Sequence, residues 1–182
     1  MQKTTWVGVT LMVAGLGAGC GQGRLIFNVD VYSFLKSANR DTVPYYAPLP
    51  PGVPDTIPVQ TVNLPPTGAG SSIVDSASLT GTVAFVDAQG TGSVSYQLFI
   101  DTARAVYTRP ALLTVSSGSV SPGDSINTPF SLNIPAAIKP FFTSTQIYVG
   151  VRLAGTATSP PLQGRARLTA LQLSVALQDK IF

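Results

Sequence analysis

The sequence predicts an all-β fold: an antiparallel β-sandwich, Ig-like or jelly-roll-like, of about seven to nine strands. Three observations carry this expectation. The acidic residues are all Asp, His is absent, and Gly and Pro number 17 and 15 in 182 residues. Helical surfaces draw on Glu, Lys and Ala, whereas strands and turns draw on Val, Thr, Ser, Gly and Asn. Apolar residues alternate with polar ones in several separate segments, the period of a half-buried strand. Turn residues punctuate those segments at intervals of about ten residues. The length suits one domain, large enough to bury a core without disulfides.

The first element is a targeting segment. Residues 1–19 read as a secretory signal, with Lys3 as the only charge, an apolar run Trp6–Leu16, and the small residues Gly17-Ala18-Gly19. Even with the small residues that follow it, the apolar stretch of about 14 residues is shorter than the roughly 20 that span a bilayer. Cys20, the only cysteine, follows at once. Ordinary secretion and a core cysteine are the alternatives to weigh. Leu16-Gly17-Ala18-Gly19-Cys20 resembles the lipobox of bacterial lipoproteins, with Gly17 where that family usually has leucine and Leu16 one place earlier. The resemblance covers about the first twenty residues. It implies that Cys20 is the lipid attachment residue, carrying diacylglyceryl and acyl (palmitate-type) groups, and becomes the new N-terminus. Two acyl chains hold a protein stably at a membrane where one is marginal. Gly21, rather than Asp, implies the outer membrane where the organism has one. Residues 20–24 are then a lipidated tether, and 25–182 the sandwich domain.

Within that domain, Leu25–Phe34 alternates as one strand, and its strength places it inside a sheet. Residues 43–66 hold eight prolines and read as a long Pro-rich loop, or as an edge segment near 59–62. Leu79, Gly81, Val83 and Phe85 form one face of a strand, and Val94, Tyr96, Leu98 and Ile100 form another. Between them, Asp87-Ala88-Gln89-Gly90-Thr91-Gly92 reads as the turn of a hairpin, with glycines supplying positive φ. A short piece follows near 112–115, then a turn at Ser121-Pro122-Gly123-Asp124. Phe130, Leu132 and Ile134 mark a strand that ends at Pro135, and 135–142 reads as a helical turn or crossover. Ile147, Val149, Val151 and Leu153 make a long strand. After a turn at Pro160-Pro161, Leu171, Leu173, Val175 and Leu177 make the last. No amphipathic helix is expected after residue 24. A membrane β-barrel would need at least eight strands of about 9–11 residues with aromatic girdles, and several segments here are shorter.

The search for catalytic chemistry finds little. Without His there is no Ser-His-Asp triad and no commonest zinc ligand. Ser33-Phe34-Leu35-Lys36 fits the S-x-x-K spacing of serine acyl enzymes, which requires a helix where alternation predicts a strand. The aspartates are scattered, and Asp41, Asp55, Asp75, Asp87 and Asp124 stand beside turn residues, where Asp commonly bonds its own backbone. Asp87–Ser93 offers one carboxylate where calcium loops supply several. No catalytic residue, cofactor or metal is expected.

Without Lys3 the chain keeps ten basic and eight acidic residues, a net charge of about +2. No basic run interleaved with aromatics points to nucleic acid. Arg165 and Arg167 alternate onto one face and could meet an anionic glycan or lipid. Tyr45 and Tyr46 could stack on a sugar or partner, or pack their segment onto the sandwich. The expectation is a non-catalytic binding or structural module of the cell envelope, with an envelope protein or glycan as partner. A carbohydrate-binding surface module and a small Asp/Tyr/Lys-based hydrolase or lyase are the alternatives.

Overall fold

The computed structural model describes residues 24–37, 39–48, 56–64 and 73–178. The signal segment, Cys20 and parts of the proline-rich region (49–55 and 65–72) lie outside the described residues. In chain order the elements are β1 (Arg24–Asp30), α1 (Val31–Ser37), β2 (Thr42–Ala47), β3 (Gln60–Asn63), β4 (Ile73–Asp101), β5 (Leu113–Val120), β6 (Ser125–Asn133) and β7 (Gln146–Gln178). Short 3-10 turns occupy Val106–Thr108 and Lys139–Thr143.

Two very long strands organise everything. β4 and β7 pair antiparallel from Ile73 opposite Gln178 to Asp101 opposite Tyr148. Three register shifts fall close together between Asp87 and Gly92, where β7 passes through Pro160-Pro161. Bulges bend a strand pair and raise its twist. Here they fold the ribbon over, so its two halves become the two layers of an antiparallel β-sandwich. β1, β2 and β6 flank the first half (about 73–87 with 162–178), and β3 and β5 flank the second. The inward residues Leu79, Val83, Phe85, Leu168 and Leu171 of one half share a single core with Val94, Tyr96, Leu98, Val151 and Leu153 of the other. The period-2 alternation places these side chains on one side of each strand.

The all-β sandwich is therefore as the sequence predicts, but the connections differ. The segments 79–86 and 93–101 do not form a hairpin: neither pairs with the other, and both pair with β7. Asp87–Gly92 is a corner inside one strand. Gly90 supplies its left-handed step (φ +82°), and a Cβ there would strike the carbonyl of Pro161. Pro160-Pro161 is the matching corner of β7 rather than a reversal. In the proline-rich stretch, Gln60–Asn63 is an edge strand on β7 at the place read as an edge segment, and Thr42–Ala47 is a second edge strand where a loop was read. Pro44 fits there since an edge strand has one side that needs no ladder donor.

The first strand also differs. It stops at Asp30 and lies at a sheet edge, paired with β7 alone among the described residues. A seven-residue helix follows where a continuing strand was expected. Asp30 caps it: the Ser33 amide donates to Asp30 Oδ1 (3.3 Å) and the Ser33 hydroxyl to the Asp30 carbonyl (3.0 Å). Val31, Tyr32 and Leu35 pack against the core. Among the described residues, no helix is long and apolar enough to cross a membrane.

Candidate functional site

The ribbon formed by β2 and β7 carries three of the four side chains singled out as possible contacts on its outer surface. Register sets Thr42, Pro44 and Tyr46 opposite Arg167, Arg165 and Gln163. Alternation then turns these six outward and Val43, Tyr45 and Ala47 inward, where all three are buried. Arg165 and Arg167 are exposed side by side, and Tyr46 is half-buried beside them. Arg167 Nε lies 3.6 Å from an Asp41 carboxylate oxygen, an ion pair at the surface worth little in water. The Asp41 carbonyl accepts from the Leu168 amide (2.7 Å), which ties the start of β2 to β7. The ledge offers two guanidinium groups and the edge of a phenol ring. That combination can hold an anionic or hydroxyl-rich group.

Tyr45 is a correction to the pairing of Tyr45 with Tyr46 as contacts. Its side chain is 6% exposed and lies in the core. Its hydroxyl donates to Asp87 Oδ1 at 3.0 Å, with the Val86 carbonyl 3.3 Å away. Burial, then the Asp87 hydrogen bond and its charge, push the phenol far above its ordinary pKa. Adjacent residues of one strand face opposite sides, so Tyr45 and Tyr46 cannot serve one surface.

Asp87 is likewise not a turn residue in solvent. It is 2% exposed, and its Oδ2 atom has no hydrogen-bond partner among the described residues. Its main chain joins the β5–β6 turn, donating to the Asp124 carbonyl (2.9 Å) and accepting from Gly123 (3.0 Å). Asp124 does behave as a turn residue, accepting the Ser121 amide at 2.8 Å. No group of three metal-ligating side chains occurs among the described residues. Ser33 and Lys36 both stand on α1, the helix that S-x-x-K requires. The Ser33 hydroxyl is bonded to the Asp30 carbonyl, and Lys36 Nζ lies over the Tyr32 ring at 5.7 Å from its centroid. The hydroxyl is thus directed to a carbonyl and the lysine to a ring.

A second constellation lies on the other layer and left no mark in the sequence pattern. The Arg152 guanidinium sits over the Phe99 ring (5.1 Å) and the Tyr107 ring (5.5 Å), and those rings meet edge to face at 5.3 Å. The Tyr107 hydroxyl lies 2.6 Å from the Ile57 carbonyl and 3.1 Å from the Val151 carbonyl and amide. It thereby fixes the segment before β3 to β7. Gly150 leaves room for this ring, since a Cβ there would fall 2.8 Å from it. Nearby, Arg109 Nε bonds Asp101 Oδ2 at 2.9 Å, and Asp101 Oδ1 accepts the Thr102 amide at 2.7 Å. Burial pushes the Asp101 carboxyl up, but the Arg109 bond and the two amides of Ala103 and Thr102 outweigh it and hold the pKa below its ordinary value. Ile57 and Val151 stand 50 and 44 positions from Tyr107, beyond the reach of any local periodicity.

No protein-family profile matches the chain, and no curated protein matches it. Among solved structures, the Gt strain of infectious bursal disease virus is similar at 14% identity and a TM-score of 0.45, over 97% of this chain and 42% of that one. The Gx strain of the same virus gives 12% identity and a TM-score of 0.43, over 93% and 43%. Desmodium yellow mottle tymovirus gives 14% and 0.22, over 100% and 95%. The chain thus spans less than half the length of the bursal disease virus chains it resembles. Likenesses this distant carry no argument about function.

Proposed function

We propose that the chain is an exported, lipid-anchored β-sandwich of the bacterial cell envelope with a non-catalytic binding or structural role. The observation that carries the non-catalytic part is where the reactive side chains are engaged. The Ser33 hydroxyl donates to the Asp30 carbonyl, the Tyr45 phenol serves a core carboxylate, the Tyr107 phenol holds a strand edge, and Asp101 binds Arg109. Each of these four groups is engaged in a hydrogen bond within the fold. The outward ledge of Tyr46, Arg165 and Arg167 is what such a module would offer to an anionic or hydroxylated envelope component.

Anchoring rests on Cys20 and the small-residue triplet before it. Cells producing the full chain should incorporate labelled palmitate into it, and the product should partition into detergent. Cys20→Ser should abolish both. Unchanged labelling in that variant would overturn the anchor.

A further inference from the structure

Five strands, β1, β2, β3, β5 and β6, pair on one side only among the described residues. An unpaired edge is a row of free amides and carbonyls, a template for another strand unless something interrupts it. Four of the five are interrupted. Pro44 stands within β2, Pro129 within β6, and Gly118 within β5 takes a left-handed step (φ +69°). β3 has only four residues. β1 is different. Its seven residues pair with β7 in unbroken register from Arg24 opposite Gln178 to Asp30 opposite Gln172, without proline, glycine or bulge. The two exposed large apolar side chains among the described residues are Ile26 (60%) on β1 and Ile73 (42%) on β4, either side of the end of β7.

We propose that the outer edge of β1 is a homotypic interface, in which two copies of the chain pair their β1 strands antiparallel about a two-fold axis at Phe27. The occupant is a second copy because the strand is complementary to itself. In Arg24-Leu25-Ile26-Phe27-Asn28-Val29-Asp30, antiparallel pairing centred on Phe27 sets Arg24 opposite Asp30 of the second copy, and Asp30 opposite its Arg24. Ile26 falls opposite Asn28 of the second copy, and Leu25 opposite its Val29. The only charges of the strand are thus its two ends, of opposite sign and at equal distance from the axis. Such an isologous contact closes on itself and stops at two copies. Pairing joins the two sheets into one and places a strand beside Ile26. The inference stands apart from the lipid anchor, since it uses no residue before Arg24.

The test is a charge exchange on the full exported chain, purified in detergent and sized by light scattering of the protein component. The wild type should have the mass of two chains. Arg24→Asp sets aspartate against Asp30 of the second copy, and Asp30→Arg sets arginine against Arg24, so each variant alone should associate at least about tenfold more weakly, as directly opposed like charges require. Mixed in equal amounts, the two variants should recover the two-chain species, because each supplies the charge the other lacks. Melting curves verify folding, and Arg24→Asp leaves the Asp30 cap of α1 in place. A wild type of one-chain mass, or folded variants that fail to recover a dimer on mixing, would overturn the proposal. Cys20→Ser should leave the dimer intact, which separates this result from that of the palmitate experiment.

Discussion

The Tyr45 hydroxyl donates to Asp87 Oδ1 across the full width of β7, at 3.0 Å. The two residues stand in one row of the sheet, Tyr45 opposite Gly164 on one side and Asp87 opposite Gly164 on the other. The phenol reaches over the central strand only because position 164 has no side chain. A Cβ there would run into the Val86 carbonyl and the Tyr45 hydroxyl. The arrangement binds edge strand β2 to the corner of β4, and through the Asp87 main chain to the β5–β6 turn.

That row gives the first prediction. Tyr45→Phe leaves the buried Asp87 carboxylate without its donor and should cost about 1–3 kcal/mol in chemical denaturation. Gly164→Ala should cost about as much or more, through overpacking against the ring and the carbonyl. The two effects should be less than additive, since the alanine already displaces the hydroxyl that phenylalanine lacks. Additive losses in the double variant would mean the hydrogen bond survives the alanine.

The second prediction concerns pH. Asp101 has a folded pKa below its ordinary value, so its share of stability is present above the ordinary carboxylate range and is lost as pH falls through the lower folded value. Arg109→Ala removes the largest lowering contact and should move the acid unfolding midpoint to higher pH. Tyr45 and Tyr96 act at the other end. Burial raises both phenols, with Asp87 adding to the effect on Tyr45 and Tyr107 to that on Tyr96. Their share is complete below about pH 10, the unfolded value, and declines as pH rises beyond it. Tyr96→Phe should therefore flatten the alkaline fall in stability. An alkaline profile identical to wild type would show that Tyr96 does not titrate with unfolding.

The third prediction concerns the last half of β7. Leu171, Leu173, Val175 and Leu177 are all buried, and Leu173 stands between Val29 of β1 and Leu79 of β4. Leu173→Ala should cost about 2–5 kcal/mol, from lost transfer energy and the residual cavity. Gln172 is exposed on the opposite face, and Gln172→Ala should stay within about 0.5 kcal/mol of wild type. Thermal melts that reversed this order would place the strand one residue out of register, since a slip of one moves every side chain to the other face.

Much of the core was legible in advance. Apart from half-buried Gly81, the alternating sets 79–85, 94–100 and 171–177 name residues the fold buries, because the inner face of a sandwich strand is dry. The same alternation read Val31 onward as more strand, whereas Asp30 caps a helix there. A seven-residue helix is too short for a 3.6-residue period to show against a period of two. Arg165 and Arg167 were correctly set on one outward face. Tyr45 was not separable from Tyr46 until β2 had a partner, because an isolated pair of tyrosines does not say which one faces the core. The Phe99–Tyr107–Arg152 cluster had no local signal at all.

By itself, the sequence determined the fold class and the inward face of the long alternating segments. Composition and a period of two are local properties, and burial acts on them residue by residue. Only the tertiary structure decided which strand pairs with which. Asp87–Gly92 and Pro160-Pro161 have the chemistry of a reversal, yet each is a bend in a long strand, since β4 and β7 satisfy each other's backbone groups along nearly their whole length. Turn residues permit a change of direction. How far the chain turns depends on where its unpaired amides and carbonyls find partners, and those partners are distant in sequence, from Tyr148 opposite Asp101 to Gln178 opposite Ile73.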